Sequence, residues 1–312
     1  MGSTTLVLLE MTDVGIHPLS LRALSAARSV SQSAVGVVLG KTHTLAERAC
    51  EYFQRVIHVP VREMTAETVA PILCEIMEQS KESQLVAAAT PFSRDVLPRA
   101  AALLGASFLS QLSEIQPHGQ GKRAVLAGKG FVSTRSLRPT VLITVEPSAF
   151  AVALPLLESG VIQLWEGTME GNPTVTIVQI NSAAKEGPSL SDATVVLGVG
   201  RGVGPVDSVP APLLELAEML GAAVGGTRAT CDSGLFPGDL QIGQTGRIIA
   251  PDCYVAVGVS GAVQHVAGIR CAGLIVAIDK NELAPIFEIA DVGWVGTWET
   301  LVPQLCSLLH RQ

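Results

Sequence analysis

The hydrophobic and polar positions in the first half of the chain alternate with the spacing of a βαβ fold. Short apolar runs predict strands, and each is followed by a stretch with the apolar period of an amphipathic helix. In Pro18–Arg28, for example, Leu21, Leu24 and Ala27 fall on one helical face. This alternation favours a parallel sheet with helices on both faces. The predicted strands are Thr5–Leu9, Ala34–Leu39, Val56–Val59 and Leu85–Ala89, and the predicted helices are Pro18–Arg28, Thr44–Tyr52, Ala66–Ser80 and Arg94–Leu104.

The pattern changes after the fourth predicted helix. Arg123–Ala153 is rich in basic and β-branched residues and predicts two or three strands, Glu158–Glu166 is apolar with turns, and Val175–Ile180 predicts another strand. Asn181–Asp192 is small and polar and contains a Gly-Pro pair, which is typical of a linker. We therefore expect an N-terminal α/β domain over residues 1–186 and a C-terminal domain over residues 187–312.

The alternation of strands and helices restarts after the predicted linker. It predicts a second doubly wound parallel sheet, so the expected fold class is α/β with two such domains. The predicted strands are Thr194–Leu197, Tyr254–Val259, Leu274–Asp279 and Trp294–Gly296, and the predicted helices are Pro210–Leu220, a helix beginning near Gly261, and Glu299–His310.

The composition narrows the class of protein. Hydrophobic residues make up 48% of the chain and aromatic residues only 4%, so Val, Ile, Leu and Ala dominate, as in buried parallel strands. A net charge of −7 argues against a surface for nucleic acid or anionic membranes. Every apolar run is interrupted by proline, glycine or charge before it reaches transmembrane length.

The N-terminus and the cysteines bear on the compartment. The segment MGSTTLVLLEM enters a strand at once, without a basic leader, and from this we expect a cytoplasmic protein. The 6 cysteines are scattered without a CxxC or CxxH pair. This spacing argues against a zinc or iron–sulfur site and fits a reducing compartment.

A glycine-rich turn, Gly198–Gly204, follows the first strand of the second domain. It does not fit the GxGxxG dinucleotide fingerprint, since the third glycine position is Val203 or Pro205, and it lacks the lysine and hydroxyl of a P-loop. The turn is either a tight strand-to-helix connection or a phosphate loop. Arg201 is its one cation, and its guanidinium could bind a pyrophosphate or lie in solvent.

Two further loops carry polar groups. Arg228 follows a pair of glycines, and its guanidinium could lie over a planar ring or form a salt bridge with Asp232 or Asp239. The segment QIGQTG, Gln241–Gly246, offers amide and hydroxyl groups that could contact a ring, and it could equally be an ordinary turn.

The segment SGAVQH, Ser260–His265, is the strongest local motif. We expect Ser260 to cap the helix that follows it, with the helix N-terminus facing an anion and His265 within reach of the same ligand. Asp279 ends a strand at the carboxyl edge, where open α/β sheets bind ligands. Its carboxylate could contact a ribose or an amino group, or it could simply stabilise a turn.

Together these motifs resemble the α subunit of electron-transfer flavoproteins. The similarity is strongest over about Val195–Leu305, and it includes APIFEIADVG, Ala284–Gly293. In the N-terminal half PFSRDVLPRAAALLGASF and PTVLITVEPSAF are similar to family segments, although Glu146–Pro147 stands where an Arg-Pro pair is usual. Asp279 and Thr297 also depart from the family, which usually has asparagine and often aspartate there.

The resemblance implies that the second domain is a deoxyhypusine-synthase-like domain that holds FAD. Arg201 is expected on the phosphate side, Arg228 over the ring system, Gln244 and Thr245 near its reactive edge, and His265 at the pyrimidine-side carbonyl. The full set of residues expected to contact FAD is Arg201, Thr227, Arg228, Gln241, Gly243, Gln244, Thr245, Gly246, Ser260, Gly261, Ala262, Gln264, His265, Asp279, Asp291 and Thr297.

The resemblance also implies a role and partners. The chain is expected to be an electron carrier rather than a substrate-converting enzyme, with a β subunit as its heterodimer partner and the N-terminal domain binding that partner. Electrons would come from a flavin-dependent dehydrogenase or an NADH-linked donor and go to an acceptor such as a quinone-directed oxidoreductase. The alternative is a redox-silent module that binds FAD, NAD or an adenine nucleotide as a structural ligand.

Overall fold

The computed structural model describes residues 4–12, 15–125, 130–167, 175, 178, 188–190 and 193–310. The chain divides into two compact units, Met1–Asn181 and Ser182–Gln312. Most of the predicted strand Val175–Ile180 and most of the predicted linker Asn181–Asp192 lie outside the described residues. The domain boundary expected between residues 186 and 187 therefore stays a prediction.

The first unit is built on a parallel seven-stranded sheet with the order β12-β5-β4-β1-β6-β11-β7. A three-stranded antiparallel sheet, β10-β9-β8, and the short pair β2-β3 complete its strands. The strands are β1 (Thr4–Leu9), β2 (Met11–Thr12), β3 (Gly15–Ile16), β4 (Ser33–Leu39), β5 (Arg55–Val59), β6 (Gln84–Ala88), β7 (Ser107–Leu112), β8 (Glu114–Gln116), β9 (Gln120–Val125), β10 (Gly130–Arg135), β11 (Val141–Val145) and β12 (Val161–Leu164), and the helices are α1 (Pro18–Val30), α2 (Thr44–Ala49), α3 (Ala66–Ser80) and α4 (Pro91–Leu104).

The first unit follows most of its hydrophobic pattern, and it also contains four strands that were not predicted, β2, β3, β7 and β8. Helix α4 begins at Pro91, before the predicted Arg94, because Thr90 caps it: the Thr90 hydroxyl accepts the backbone N–H of Ser93. The apolar segment Glu158–Glu166, predicted as turns, contains β12, which pairs with β5 at the sheet edge. The strands predicted within Arg123–Ala153 are confirmed as β9, β10 and β11.

The second unit is a parallel five-stranded sheet with the order β14-β13-β15-β16-β17. The two parallel sheets confirm the predicted α/β class. The strands are β13 (Val195–Val199), β14 (Ala223–Gly226), β15 (Cys253–Val257), β16 (Leu274–Asp279) and β17 (Val292–Val295), and the helices are α5 (Ala211–Leu220), α6 (Arg228–Asp232), α7 (Val263–Ile269) and α8 (Trp298–Leu309).

The core of the second unit lies on both faces of this sheet. Alternate residues of the central strands point to opposite faces, so Val196 and Ala256 belong to one cluster and Leu197 and Val255 to the other. Buried residues of α5 and α8, Leu213, Leu216 and Val302, cover the second face. The central strands are therefore buried on both faces, and loops extend from the carboxyl edge of the sheet.

The helices also bear on membrane association. Among the residues that the structure describes, no helix is both long enough and apolar enough to cross a bilayer.

Candidate functional site

A cavity of about 580 Å³ lies at the carboxyl edge of the second sheet. Strands β13 and β15 are neighbours, and the chain leaves them in opposite directions, from β13 to β14 on one side and from β15 to β16 on the other. Such a reversal of strand order opens a crevice between the two loops. The cavity is lined by the segments that follow β13, β14 and β15, and by Asp279 at the end of β16.

The cavity brings most of the predicted site residues together, although they come from loops far apart in sequence. It also gathers positions outside the predicted set: small or apolar residues next to predicted ones in the chain, and Asp232. The predicted residues at the cavity are Arg201, Thr227, Arg228, Gln241, Gly243, Gln244, Thr245, Ser260, Ala262, Gln264, His265 and Asp279, and the additional ones are Gly202, Ala229, Asp232, Ile242, Gly258 and Val259.

Three predicted residues lie near the cavity without lining it. Gly246 closes the turn that begins at Gly243, through a backbone hydrogen bond of 3.1 Å. Gly261 is buried in the loop before α7. Thr297 lines a smaller cavity of about 80 Å³ that shares Asp279 with the larger one, and its hydroxyl lies 3.1 Å from that of Thr300.

Asp291 was predicted at the site, and the structure places it at the opposite edge of the sheet. Its carboxylate accepts the backbone N–H of Ile275 at 2.8 Å, and its own N–H donates to the Ile275 carbonyl. Ile275 is at the amino end of β16, whereas the cavity is at the carboxyl ends. Asp291 therefore stabilises the start of a strand.

Arg201 is positioned by a 3₁₀ turn, Arg201–Val203, directly after β13. The N–H of Gly202 donates to the carbonyl of Gly258 at 2.8 Å, which joins this turn to the end of β15. Gly258 has φ +63°, and a Cβ there would lie 2.7 Å from the backbone N of Val203. The two loops approach each other closely because this position has no side chain, and Arg201 remains exposed beside the cavity.

Arg228 and Asp232 both line the cavity from α6. Nε of Arg228 lies 3.5 Å from Oδ2 of Asp232, one helical turn later. Their side chains are 72% and 68% exposed, so water screens the pair strongly. The salt bridge considered from sequence is therefore present, and Arg228 lines the cavity at the same time.

The turn within Gln241–Gly246 is held from two sides. Nε2 of Gln241 donates to the Thr245 hydroxyl at 2.9 Å, and the backbone N–H of Gln244 donates to the carbonyl of Gln264 in α7 at 2.8 Å. The side chains of Gln244 and Thr245 are exposed at the cavity. The turn is thus fixed to α7 while its polar groups stay accessible.

The start of α7 differs from the prediction. Ser260 was expected to cap this helix, but the N-cap residue is Ala262, with no side-chain cap, and the helix begins at Val263. Gly261 has φ +82°, which continues the loop past Ser260. The Ser260 carbonyl instead accepts the N–H of Ile286 at 3.2 Å, and its side chain is exposed at the cavity.

His265 borders the cavity and is only 5% exposed. Its Nδ1 lies 3.1 Å from the carbonyl oxygen of Ile242, and its Nε2 lies 2.8 Å from the hydroxyl oxygen of Tyr254. A carbonyl can only accept, so Nδ1 carries the proton and Nε2 accepts from the tyrosine. Burial lowers the pKa of His265 to about 4, against a smaller opposite effect of the bond to Ile242, so the ring is neutral at pH 7.

Both ring nitrogens of His265 have protein partners in this structure, and the expected contact of His265 with a ring carbonyl stays a prediction. Sequence reasoning did not single out Tyr254, whose hydroxyl is one of those partners. The available signal was a lone tyrosine within an otherwise aliphatic strand, since a buried hydroxyl needs a partner.

Asp279 supplies a carboxylate at the other side of the cavity. It is 9% exposed, and Oδ1 accepts the backbone N–H of Asn281 at 2.9 Å. Asp279 therefore has both roles considered from the sequence, since its carboxylate stabilises a turn and the residue lines the cavity.

The polar groups of the lining suit a large anionic ligand with hydrogen-bonding rings. Guanidinium, amide and hydroxyl groups offer donors, and Asp279 offers an acceptor for hydroxyl or amino groups. A volume of about 580 Å³ lies in the range of cofactor pockets. Among the described residues, no group of three or more His, Cys, Asp or Glu side chains could hold a metal ion.

Comparison with known proteins points to one family for both units. The family model described as "Electron transfer flavoprotein FAD-binding domain" matches residues 189–270, and the "Electron transfer flavoprotein domain" matches residues 5–179.

Relatives match over nearly the whole chain. The probable mitochondrial electron transfer flavoprotein subunit alpha of Caenorhabditis elegans is 33% identical over 98% of this chain and 94% of its own length. The electron transfer flavoprotein subunit alpha of Pseudomonas aeruginosa is 33% identical over 96% of this chain and 98% of its own, and that of Bacillus subtilis is 32% identical over 98% and 97%.

Proposed function

The chain belongs to the electron transfer flavoprotein α-subunit family, and we propose that it holds its FAD in the 580 Å³ cavity at the carboxyl edge of the second sheet. The protein is an FAD-binding electron carrier. The assignment of the site rests on the cavity itself, because polar groups that follow four separate strands line it together. Bound FAD supplies the capacity to take up and release electrons.

The residues present fit that cofactor by charge and hydrogen bonding. Arg201 and the polar groups near it would hold the negatively charged diphosphate. Asp279 would accept from hydroxyl or amino groups of the adenosine part. Gln244 and Thr245 would contact the polar edge of the ring system, which needs donors and acceptors that the fixed turn offers.

Arg228 would balance the negative charge that arrives with an electron. Its guanidinium is a positively charged group at the cavity wall. A fixed positive charge favours the reduced form of a bound ring and so raises its potential. Asp232, on the same wall, has the opposite effect.

We further propose that the chain pairs with a β subunit, as the names of its relatives suggest. In this proposal a flavin-dependent dehydrogenase or NADH-linked donor delivers electrons, and a downstream oxidoreductase, such as a quinone-directed one, receives them. We also propose that the N-terminal domain contributes the surface for the β subunit and that the protein is cytoplasmic.

The test is to co-express the chain with the β-type subunit, purify the complex and extract its flavin by denaturation. We expect one FAD for each copy of this chain, and loss of FAD when Arg201 is replaced by alanine together with Ser260 by glycine. A matched control is Arg270→Ala, because Arg270 is exposed at the end of α7 and does not line the cavity. A complex that contains FMN alone, or that takes up no flavin from excess FAD, would contradict the proposal.

A further inference from the structure

We propose that a groove at the outer edge of the first sheet binds a small organic anion with an apolar body. The anionic group of the ligand pairs with Arg55, and a neutral acceptor at its other end takes the indole N–H of Trp165. The groove has a volume of about 560 Å³, which lies in the range of small-molecule pockets. Its lining belongs to the first unit, so this proposal does not rest on the cofactor site of the second.

The groove lies where the edge strand β12 and its neighbour β5 meet the last turns of α3. β12 pairs with β5 in parallel, with Gln163 level with Ile57. Side chains of a strand alternate between its two faces, so Arg55 and Ile57 of β5 share one face with Gln163 and Trp165. The polar groups of these two strands therefore converge on one groove.

The floor of the groove is apolar. Ile57, Ile76 and Trp165 are 5%, 2% and 7% exposed, and all three belong to one hydrophobic cluster. Gly167 packs directly against the indole, since a Cβ at Gly167 would lie 2.2 Å from Cζ2 of Trp165. The indole is thus held in place, and the floor suits the apolar body of a ligand.

The indole N–H of Trp165 is buried and has no hydrogen-bond partner among the described residues. Glu75 of α3 does not serve as its acceptor, because its Oε1 accepts from Nε2 of Gln79 at 2.7 Å. A buried donor without an acceptor is costly. An acceptor atom of a ligand in the groove would satisfy it.

Arg55 supplies a positive charge at the other end of the groove. It is level with Val161, four residues before Trp165, which is about 13 Å along the strand. Among the described residues no carboxylate lies within 4.0 Å of its guanidinium. Burial raises the pKa of Glu82, and the charge of Arg55 opposes this rise, so Glu82 is a neighbour of Arg55 without being its salt-bridge partner. The guanidinium is available to an anion.

The charge at the Trp165 end determines which way a ligand lies. Glu166 lines the groove beside Trp165, and its negative charge disfavours a second anionic group there. The exposed amide of Gln163, between the two ends, offers both a donor and an acceptor. The lining therefore fits a monoanion whose far end carries a neutral acceptor such as an amide carbonyl.

The first experiment uses 4-acetamidobenzoate as the probe, because it combines a carboxylate, an apolar ring and an amide carbonyl. This chain is labelled with 5-fluorotryptophan, combined with β subunit and FAD, and titrated by ¹⁹F NMR. The chain has 3 tryptophans, so Trp294→Phe and Trp298→Phe identify the Trp165 signal by elimination.

We expect a saturable shift of the Trp165 signal with a dissociation constant of about 1 mM or below. The neutral methyl ester of the probe should bind at least about tenfold more weakly, because it lacks the charge that pairs with Arg55. The proposal is wrong if the Trp165 signal shows no saturable change, or if acid and ester bind equally.

The second experiment tests the role of Arg55. Arg55→Gln should weaken binding of the probe by about tenfold, whereas Arg55→Lys keeps the charge and should retain most of the binding. The matched control is Arg48→Gln, because Arg48 is largely exposed on α2 and does not line the groove. Equal binding by wild type and Arg55→Gln would overturn the proposal.

The outcomes separate this inference from the proposed function. If the probe shifts the Trp165 signal in the chain alone and not in the complex, the β subunit covers the groove and the ligand proposal is wrong. A complex without FAD would contradict the proposed function and leave this one standing. Because acid and ester are compared on the wild-type protein, the proposal can be refuted even if Arg55→Gln does not fold.

Discussion

Nε of Arg228 lies 3.5 Å from Oδ2 of Asp232, and the two side chains line the same cavity with opposite charges. Both are largely exposed, so their attraction contributes little to stability. Their importance is electrostatic, because each sets a fixed charge beside the proposed cofactor site. Changing either one should alter the potential of the cofactor with little effect on folding.

Replacing Arg228 by alanine is expected to lower the potential for the first electron. Loss of one solvent-screened charge a few ångströms away corresponds to about 1 kcal/mol, or about 40 mV for one electron. Spectroelectrochemical titration of the FAD-loaded complex measures it, with Arg270→Ala as the control. If Arg228→Ala keeps both its FAD and its wild-type potential, Arg228 serves only its salt bridge.

Asp232→Asn should act in the opposite direction. It removes a negative charge from the same wall and keeps nearly the same shape, so the potential should rise by a similar amount, about 40 mV. The same titration measures it. A fall in potential, or equal shifts of one sign in Asp232→Asn and Arg228→Ala, would show that the loop has rearranged and that the shift is not electrostatic.

The buried His265 predicts loss of stability in mild acid. Its folded-state pKa of about 4 is below the unfolded value of 6.5, so between these values the unfolded chain binds a proton that the folded chain does not. The contribution of this pKa difference to the free energy of unfolding is complete above pH 6.5, decreases as the pH falls and is lost by about pH 4. This difference corresponds to about 3 kcal/mol.

The measurement compares the pH dependence of denaturant unfolding in wild type and His265→Gln, since other groups titrate in the same range. The difference in unfolding free energy between the two proteins should change by about 3 kcal/mol between pH 7 and pH 4. Parallel pH profiles would mean that the histidine is solvated or protonated in the native protein.

Gly258→Ala is expected to disturb the junction of the two loops at the cavity. Alanine at φ +63° costs about 1–2 kcal/mol, and the contact of 2.7 Å with Val203 adds to it. We expect the free energy of unfolding to fall by at least about 2 kcal/mol. We also expect a lower FAD content, because the turn that carries Arg201 must move. Denaturant unfolding and extracted flavin are the measurements.

Gly238→Ala is the matched control for Gly258→Ala. A Cβ at Gly238 would have no neighbouring atom within 4 Å, and Gly238 lies outside the cavity lining. Its substitution should leave stability within about 0.5 kcal/mol and leave the FAD content unchanged. Equal losses in the two variants would contradict the close packing described for the two loops.

Two adjacent leucines of α5, Leu213 and Leu214, should contribute very differently to stability. Leu213 is 0% exposed and packs on the sheet, whereas Leu214 is 49% exposed. Leu213→Ala should lose about 2–5 kcal/mol of unfolding free energy, and Leu214→Ala about 0.5 kcal/mol or less. Denaturant unfolding of the two variants tests which face of α5 is buried.

Local periodicity was sufficient for most strands and helices. The apolar run of β15 and the amphipathic pattern of α8 are visible in sequence because each depends on residues a few positions apart. The cavity could be located for a similar reason, since glycine-rich and polar segments after strands of a parallel sheet converge at its carboxyl edge.

The remaining features depend on contacts between distant parts of the chain. β12 is a strand because it pairs with β5, about a hundred residues earlier in the chain. The nitrogens of His265 are occupied because folding brings Ile242 and Tyr254 to it from two sides. Neither local pattern nor motif spacing contains these contacts, so the hydrogen-bonding state of a motif residue could not be predicted.

Gly198 and Tyr254 constrain each other in evolution, because the Tyr254 side chain occupies the space where a side chain at position 198 would lie. A residue larger than glycine there would collide with Tyr254, and the ring atoms of Tyr254 would lie as close as 2.4 Å to the added Cβ, so phenylalanine at position 254 would not relieve the collision. A lineage can therefore gain a side chain at Gly198 only after Tyr254 has become much smaller. That change would also remove the hydrogen-bond partner of His265. We therefore expect Gly198, Tyr254 and His265 to be kept together or replaced together as the family diverges.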